Sequence, residues 1–143
     1  MTEHASVPEK LDPQECLQLI SPGGIGRVAF NDPGGPAILP VNYVLRDNSV
    51  IFRTAAGGTL DMGLRTGMAG VDFKVAFEVD RFDEAEHTGW SVVVRGGAHL
   101  VSSPEEQAEL EKAEVHPWAG GDRHLYVKVA ATEVTGRRVG NGS

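Results

Sequence analysis

An antiparallel β-barrel or sandwich with short helices at its edges is the architecture this sequence predicts. Three observations predict it. Glycine is abundant, 18 of 143 residues, and falls in pairs or singly between short apolar runs rather than at a fixed period. Such spacing marks tight turns between short strands. Runs such as Ile25–Asn31 and Lys74–Asp80 alternate in polarity, as half-buried strands do. Finally, about six strand-like runs follow one another with few long helical segments between them, which favours pairing of sequence neighbours. The length fits one domain, able to bury a core without staples. We place that domain over residues 11–143 and read the polar, aperiodic residues 1–10 as a flexible tail.

The elements follow in order. Asp12, Pro13 and Glu15 have the pattern of an N-cap, a first-turn proline and a capping-box acid. Cys16, Leu17, Leu19 and Ile20 give that helix its apolar face, and Pro22 ends it by disfavouring helical geometry at Ser21. Ile25–Asn31, Ala37–Arg46 and Ser49–Thr54 form a meander, turning at Asp32-Pro33-Gly34-Gly35 and at Asp47-Asn48. Pro40 cannot donate to a ladder, so it marks an edge or a bulge. Thr59 is a candidate N-cap for a short helix in which Leu60 and Leu64 share a face and Asp61 precedes Arg65 by four. Lys74–Asp80 is a strand, Arg81–Gly89 a polar connection, and Trp90–Val101 a long strand with a bulge or bend at Gly96-Gly97. Ser103 caps a helix running through Ala108, Leu110 and Ala113. His116–Gly121 is a loop, and His124–Val139 a last strand or strand pair.

Composition excludes several classes of function. Thirteen basic against twenty acidic residues leave a formal charge of −7, which argues against sequence-independent nucleic-acid binding. The single cysteine, Cys16, excludes an intrachain disulfide and a paired-cysteine zinc site. The first ten residues hold no apolar stretch of signal-peptide kind and no run nears the ~18 residues of a membrane span, so we expect a cytoplasmic protein without membrane partners. No nucleophile elbow, dinucleotide fingerprint, phosphate-loop pattern or His-x-x-x-His pair occurs. The scattered histidines point to no metal site.

The stretch Arg53-Thr54-Ala55-Ala56-Gly57-Gly58-Thr59-Leu60 carries chemistry. It is a strand end, a glycine turn and a helix start. Helix starts present unpaired N–H groups, glycine admits a ligand close to the backbone, and Arg53 and Thr54 add donors, so the place suits a phosphate. The same residues also fit an ordinary connection beside a surface arginine. Trp90 opens the long strand and Trp118 lies in a Pro/Gly loop. Either fits a core, although the loop favours a planar-ligand lid or subunit contact for Trp118.

Taken together, Leu39-Pro40-Val41-Asn42-Tyr43-Val44, Val50–Gly57, Val75–Asp80, Thr88-Gly89-Trp90-Ser91-Val92-Val93-Val94 with Gly96, Pro117-Trp118 and Val134–Arg138 resemble the pyridoxamine 5′-phosphate oxidase-like, FMN-binding split-barrel family, closest to its small actinobacterial-type branch. The resemblance spans Leu11 to Val139. It implies an antiparallel split barrel that forms a homodimer and holds FMN between subunits. It places Pro40, Val41 and Asn42 along the flavin ring, Arg53 and Thr54 near the ring and ribityl chain, and Gly57, Gly58, Thr59 and Leu60 at the phosphate turn. Trp90 and Ser91 also fall in the cofactor groove, Ser91 where relatives often have Gln. Trp118 and Arg123 match residues that reach over from the partner. Many relatives carry Lys at the position of Thr59, which leaves Arg53 the strong cation of this motif. The Arg/His pattern that binds pyridoxal phosphate in true oxidases is not evident, and His124 alone does not supply it.

The resemblance therefore implies a flavin-dependent oxidoreductase acting on a small-molecule substrate other than pyridoxamine phosphate. No side chain stands out as a catalytic acid or base. Two rival readings stand beside it: the same fold using a deazaflavin coenzyme, and a non-enzymatic member that binds flavin or haem or has lost its cofactor.

Overall fold

Turn chemistry and alternation fold the chain into one antiparallel sheet that closes on itself. The computed structural model describes residues 8–55, 57–66, 73–112 and 125–140. Its elements are β1 (Glu9–Leu11), α1 (Pro13–Ile20), β2 (Gly23–Asp32), β3 (Gly35–Arg46), β4 (Ser49–Thr54), α2 (Thr59–Thr66), β5 (Phe73–Asp83), β6 (Thr88–Leu100), α3 (Pro104–Lys112), β7 (Leu125–Ala130) and β8 (Glu133–Val139). The strand order is β1-β8-β6-β5-β2-β3-β4-β7, and β7 also pairs with β6. Six strands thus close a barrel, while β8 and β1 continue from β6 as a side ribbon.

Local chemistry explains the boundaries. Asp12 caps α1 by accepting the Glu15 N–H at 2.8 Å, and Ser21 leaves the helix in extended geometry before Pro22. Asp47 and Asn48 take positive φ values of 51° and 58°, the left-handed pair that a two-residue hairpin between Arg46 and Ser49 requires. The Gly34 N–H donates to Asp32 Oδ1 at 2.7 Å and tightens the turn between β2 and β3. Ser103 Oγ accepts the Glu106 N–H and starts α3. Pro40 sits in the part of β3 that has a partner, β2, on one side only among the described residues, because β4 pairs from Tyr43 onward.

Gly96-Gly97 is not a bulge. The β5–β6 register runs unbroken from Phe73↔Ala98 to Asp83↔Thr88. On its other side β6 pairs with β8 up to Arg95 and with β7 from Ala98, so the two glycines mark a change of partner. A Cβ on Gly96 would lie 1.8 Å from the Ala130 carbonyl oxygen, where the chain passes from β7 to β8. Only a residue without a side chain lets those backbones approach.

Two other expectations are corrected. Glu9 and Lys10, read as tail, pair with Arg138 and Arg137 of β8; a three-residue strand is too short to show a period. The polar connection expected over Arg81–Gly89 is mostly strand, since β5 reaches Asp83 and β6 begins at Thr88. Its residues are largely exposed on both faces, so no alternation reveals it. The strand pair expected as one alternative over His124–Val139 is β7 and β8, which share β6 as a partner and otherwise pair with β4 and β1; of the eight strands among the described residues, six close the barrel. Ala113, the His116–Gly121 loop and His124 lie outside those residues.

The core fills the barrel with Val28, Phe30, Val41, Tyr43, Val50, Phe52, Phe77, Val92, Val94, Val127 and Val129, and α1 seals one side with Cys16 and Ile20. Burial raises the Cys16 thiol above its usual range, helped by Asp12 and Glu15. The Tyr43 hydroxyl donates to the Ile20 carbonyl at 2.6 Å and ties α1 to the barrel. Its ring meets Phe77 edge-on at 4.8 Å. A second cluster, Ile51, Val101, Leu110 and Tyr126, packs α3 against the outer face of β4 and β7.

Candidate functional site

Alternation decides which candidate residues face inward. On β3, Val41 and Tyr43 are buried in the barrel, so Pro40 and Asn42 face outward. Asn42 pairs with Ile25 of β2, and Tyr43 with Phe52 of β4. Arg53 follows Phe52 and therefore lies beside Asn42 on the outer face, opposite Tyr126 of β7. Ile25, Asn42, Arg53 and Tyr126 thus form one row across four strands. The Arg53 guanidinium lies 5.4 Å from the Tyr126 ring centroid, a cation–π distance. Thr54 and Leu60 are buried, which restricts any contact of theirs with a ligand to the backbone.

The glycine turn after β4 has an unforeseen internal partner. Asp61, expected only to precede Arg65 on a helix face, is 2% exposed, and its carboxylate accepts the Gly57 N–H at 2.7 Å. The Gly58 N–H donates to the Ala55 carbonyl at 3.3 Å. Both glycine N–H groups expected to cradle a phosphate are thus engaged within the turn. Gly57 has φ +81°, and among the described residues nothing lies within 4 Å of where a Cβ would stand. Thr59, expected as a cap, is the first residue of α2, and the first N–H groups of a helix have no intrahelical acceptor.

Trp90 and Ser91 belong elsewhere in the same chain. They are neighbours on β6 and face opposite sides of the sheet. Trp90 packs against the core and lines a groove of about 530 Å³ with Tyr43, Arg27, Asp80 and Arg81. Ser91 lines a separate groove of about 760 Å³ with Lys10, Arg95, Thr135 and Arg137. Strands β5 and β2 stand between β6 and β3; three interstrand steps of about 4.8 Å place Ser91 roughly 14 Å from the Pro40 strand. One chain therefore brings Pro40, Asn42, Arg53 and the turn together but leaves Ser91 apart. Trp118 and Arg123 lie outside the described residues.

The sequence reading missed a carboxyl pair. Glu78 and Asp80, two apart on β5, both face outward beside Arg27, whose Nη1 lies 3.7 Å and 4.0 Å from their carboxylates. Burial pushes the Glu78 carboxyl up to about 7, its hydrogen bond and repulsion with Asp80 add to the rise, and Arg27 opposes it. The signal was the Glu-Val-Asp spacing within a run read only as alternation. Burial also raises the Tyr43 phenol to about 12, against the pull of Arg81. Among the described residues no group of three or more His, Cys, Asp or Glu is placed to hold a metal. No helix there is long and apolar enough to cross a membrane.

Comparison with known proteins agrees with this architecture. The family model described as pyridoxamine 5′-phosphate oxidase matches residues 12–138. An uncharacterised protein of Mycobacterium tuberculosis is 37% identical over 130 residues, 91% of this chain and 84% of its own length. The FAD binding protein from Mycobacterium smegmatis superposes with a TM-score of 0.74 at 33% identity, covering 93% of this chain and 99% of that one. A conserved protein of unknown function from Corynebacterium diphtheriae gives 0.70 at 31% identity, covering 94% and 98%. With its six-stranded closed barrel, its side ribbon and a family match over nearly its whole length, this chain belongs to the pyridoxamine 5′-phosphate oxidase family of flavin-binding split barrels.

Proposed function

We propose that the protein binds a flavin coenzyme and acts as a flavin-dependent oxidoreductase on a small substrate. The observation that carries this reading is the end of β4. There an arginine stacked on Tyr126 stands at an outer-face row that leads into a glycine turn and the start of α2. An anion finds a fixed cation and helix N–H groups in such a place, and Asn42 beside Arg53 offers an amide to the polar edge of a flat ring. A bound flavin supplies hydride and electron transfer, while these residues bind and orient it. FMN is the coenzyme the resemblance implies. The 33%-identical relative that binds FAD favours the dinucleotide as a second reading.

A homodimer follows from the same reading. The separation of Ser91 from Arg53 within one chain supports a groove completed by a second copy. Ile25 and Ile38, 41% and 66% exposed on the outer face, support an apolar contact there. The test is titration of the purified protein with riboflavin, FMN and FAD, alongside sedimentation. Arg53→Ala should weaken binding of a phosphate-bearing flavin by about tenfold to a hundredfold, the worth of one charge-assisted hydrogen bond, while the fold survives. Absence of any flavin uptake by the wild type would refute the flavin reading. Unchanged affinity in Arg53→Ala would remove the role assigned to Arg53.

A further inference from the structure

We propose that the groove where α1 hands over to β2 binds a small aromatic carboxylate, and that this is the class of substrate a flavin held at the Asn42–Arg53 row would meet. The substrate half rests on the flavin reading above; the groove itself does not. The groove, about 530 Å³, runs past Leu19, Tyr43, Val79, Arg81 and Trp90 and reaches Ile25. Ile25 pairs with Asn42, so that end borders the outer-face row to which the flavin is assigned. Arg81 is the unusual member. Val75, Phe77 and Val79, the alternate residues before it on β5, are all buried, and the same alternation brings Arg81 to the inward side at the barrel mouth. A cation thus stands where the core series would place another apolar residue. It lies directly across from Trp90 of β6, and cross-strand neighbours of this kind are within side-chain reach.

Charge and shape select the ligand. The charged side chains along the groove are Arg27, Asp80 and Arg81. Arg27 lies 4.0 Å from the Asp80 carboxylate, so those two offset each other and Arg81 sets the sign. Glu78, which also meets Arg27, does not line the groove and keeps its proton up to about 7. Among the described residues no carboxylate pairs with Arg81. Its charge acts on the Tyr43 phenol, whose hydroxyl is already spent on the Ile20 carbonyl. One guanidinium matches one carboxylate, whereas a phosphate monoester carries nearly twice the charge it can answer. The walls, Leu19, Val79 and the Trp90 indole, are apolar, as small-molecule sites with a single fixed charge are. A guanidinium beside an indole suits a flat acid, since one holds the carboxylate and the other stacks on the ring. Gly24 keeps the place roomy, because a Cβ there would stand 3.9 Å from the Tyr43 ring.

The test uses the full chain at about pH 6.5, where a carboxylic acid is ionised, and three probes: 2-naphthoate, the uncharged 2-naphthamide, and cyclohexanecarboxylate, which keeps the charge and lacks the flat ring. Calorimetric titration should give 2-naphthoate a Kd below about 1 mM and each of the other two an affinity at least about tenfold weaker. Arg81→Gln, at an exposed position, should weaken 2-naphthoate by about tenfold and leave 2-naphthamide within about twofold. Arg81→Lys should recover part of the loss, and an unchanged melting temperature shows that both variants fold. Equal affinity for acid and amide, equal losses of both in Arg81→Gln, or no binding of 2-naphthoate would overturn the groove assignment. With flavin bound, 2-naphthoate should shift the flavin absorption bands, because the groove ends beside Asn42; binding without such a shift overturns the substrate half. If 2-naphthoate binds and the wild type takes up no flavin, the flavin reading fails and the substrate half fails with it. Flavin uptake without 2-naphthoate binding overturns this proposal alone.

Discussion

Replacing Glu78 by Gln should remove a pH dependence of stability that one carboxyl pair builds into β5. The folded chain holds the Glu78 proton up to about pH 7, against an ordinary value of 4.5, chiefly because the carboxyl is buried and shares a hydrogen bond with Asp80. Between those two values the folded state binds a proton that the unfolded state releases. Stability from this group is therefore fully present below the ordinary carboxylate value and is lost as pH rises through about 7. Taken at face value the displacement is worth about 3 kcal/mol. The side chain is 32% exposed, so solvent screening reduces it to about 1 kcal/mol. For a chain of this length that is a change in Tm of about 3 °C. The amide mimics the protonated acid, since it can donate to Asp80 at any pH, and it leaves Arg27 beside Asp80. Thermal melts of wild type and Glu78→Gln at intervals from pH 5 to 8 give the readout. The variant should match the wild type near pH 5 and exceed it by about 3 °C near pH 8. Parallel curves across the range would show that the pair does not share a proton in the folded state, and the reasoning would fail.

Two further outcomes test the packing. Tyr43→Phe keeps the ring contact with Phe77 but leaves the buried Ile20 carbonyl without its 2.6 Å donor; it should cost about 1–2 kcal/mol, read as a lower urea midpoint with an unchanged m-value. Gly96→Ala forces a Cβ to within 1.8 Å of the Ala130 carbonyl and should cost about 3 kcal/mol. A variant as stable as wild type would mean that the crossing of β6 with the β7–β8 connection is looser than described.

Much of the fold was legible because much of it is local. The cap at Asp12, the stop at Pro22 and the left-handed pair at Asp47-Asn48 are each decided by residues within four positions of one another. The meander of β2, β3 and β4 was visible for the same reason, since short turns leave consecutive strands little choice but to pair. What was hidden is non-local. Nothing in Glu9-Lys10-Leu11 announces that β8 will take them as a partner. The glycine pair at 96–97 advertised an irregularity, yet its meaning depends on β7 and β8, which lie beyond α3 in the sequence.

The candidate site was less legible than the fold, and the reason lies in which face carries it. Inward positions are constrained by packing, so their period shows in the sequence. Outward positions are constrained only by what binds there, and Asn42, Arg53, Glu78 and Ser91 are all outward. Alternation could say that each points away from the core, but not that Asn42 and Arg53 share a row while Ser91 stands three strands away. Asp61 inverts the problem. Its spacing to Arg65 suggested only an i,i+4 helix pair, but Asp61 is buried, and a buried carboxylate must find a donor. The nearest backbone donor is the glycine turn just before it. The turn's shape and its charge thus come from one acid four residues beyond Gly57, and a Gly-Gly motif read without that acid promises two donors that the folded chain has already used.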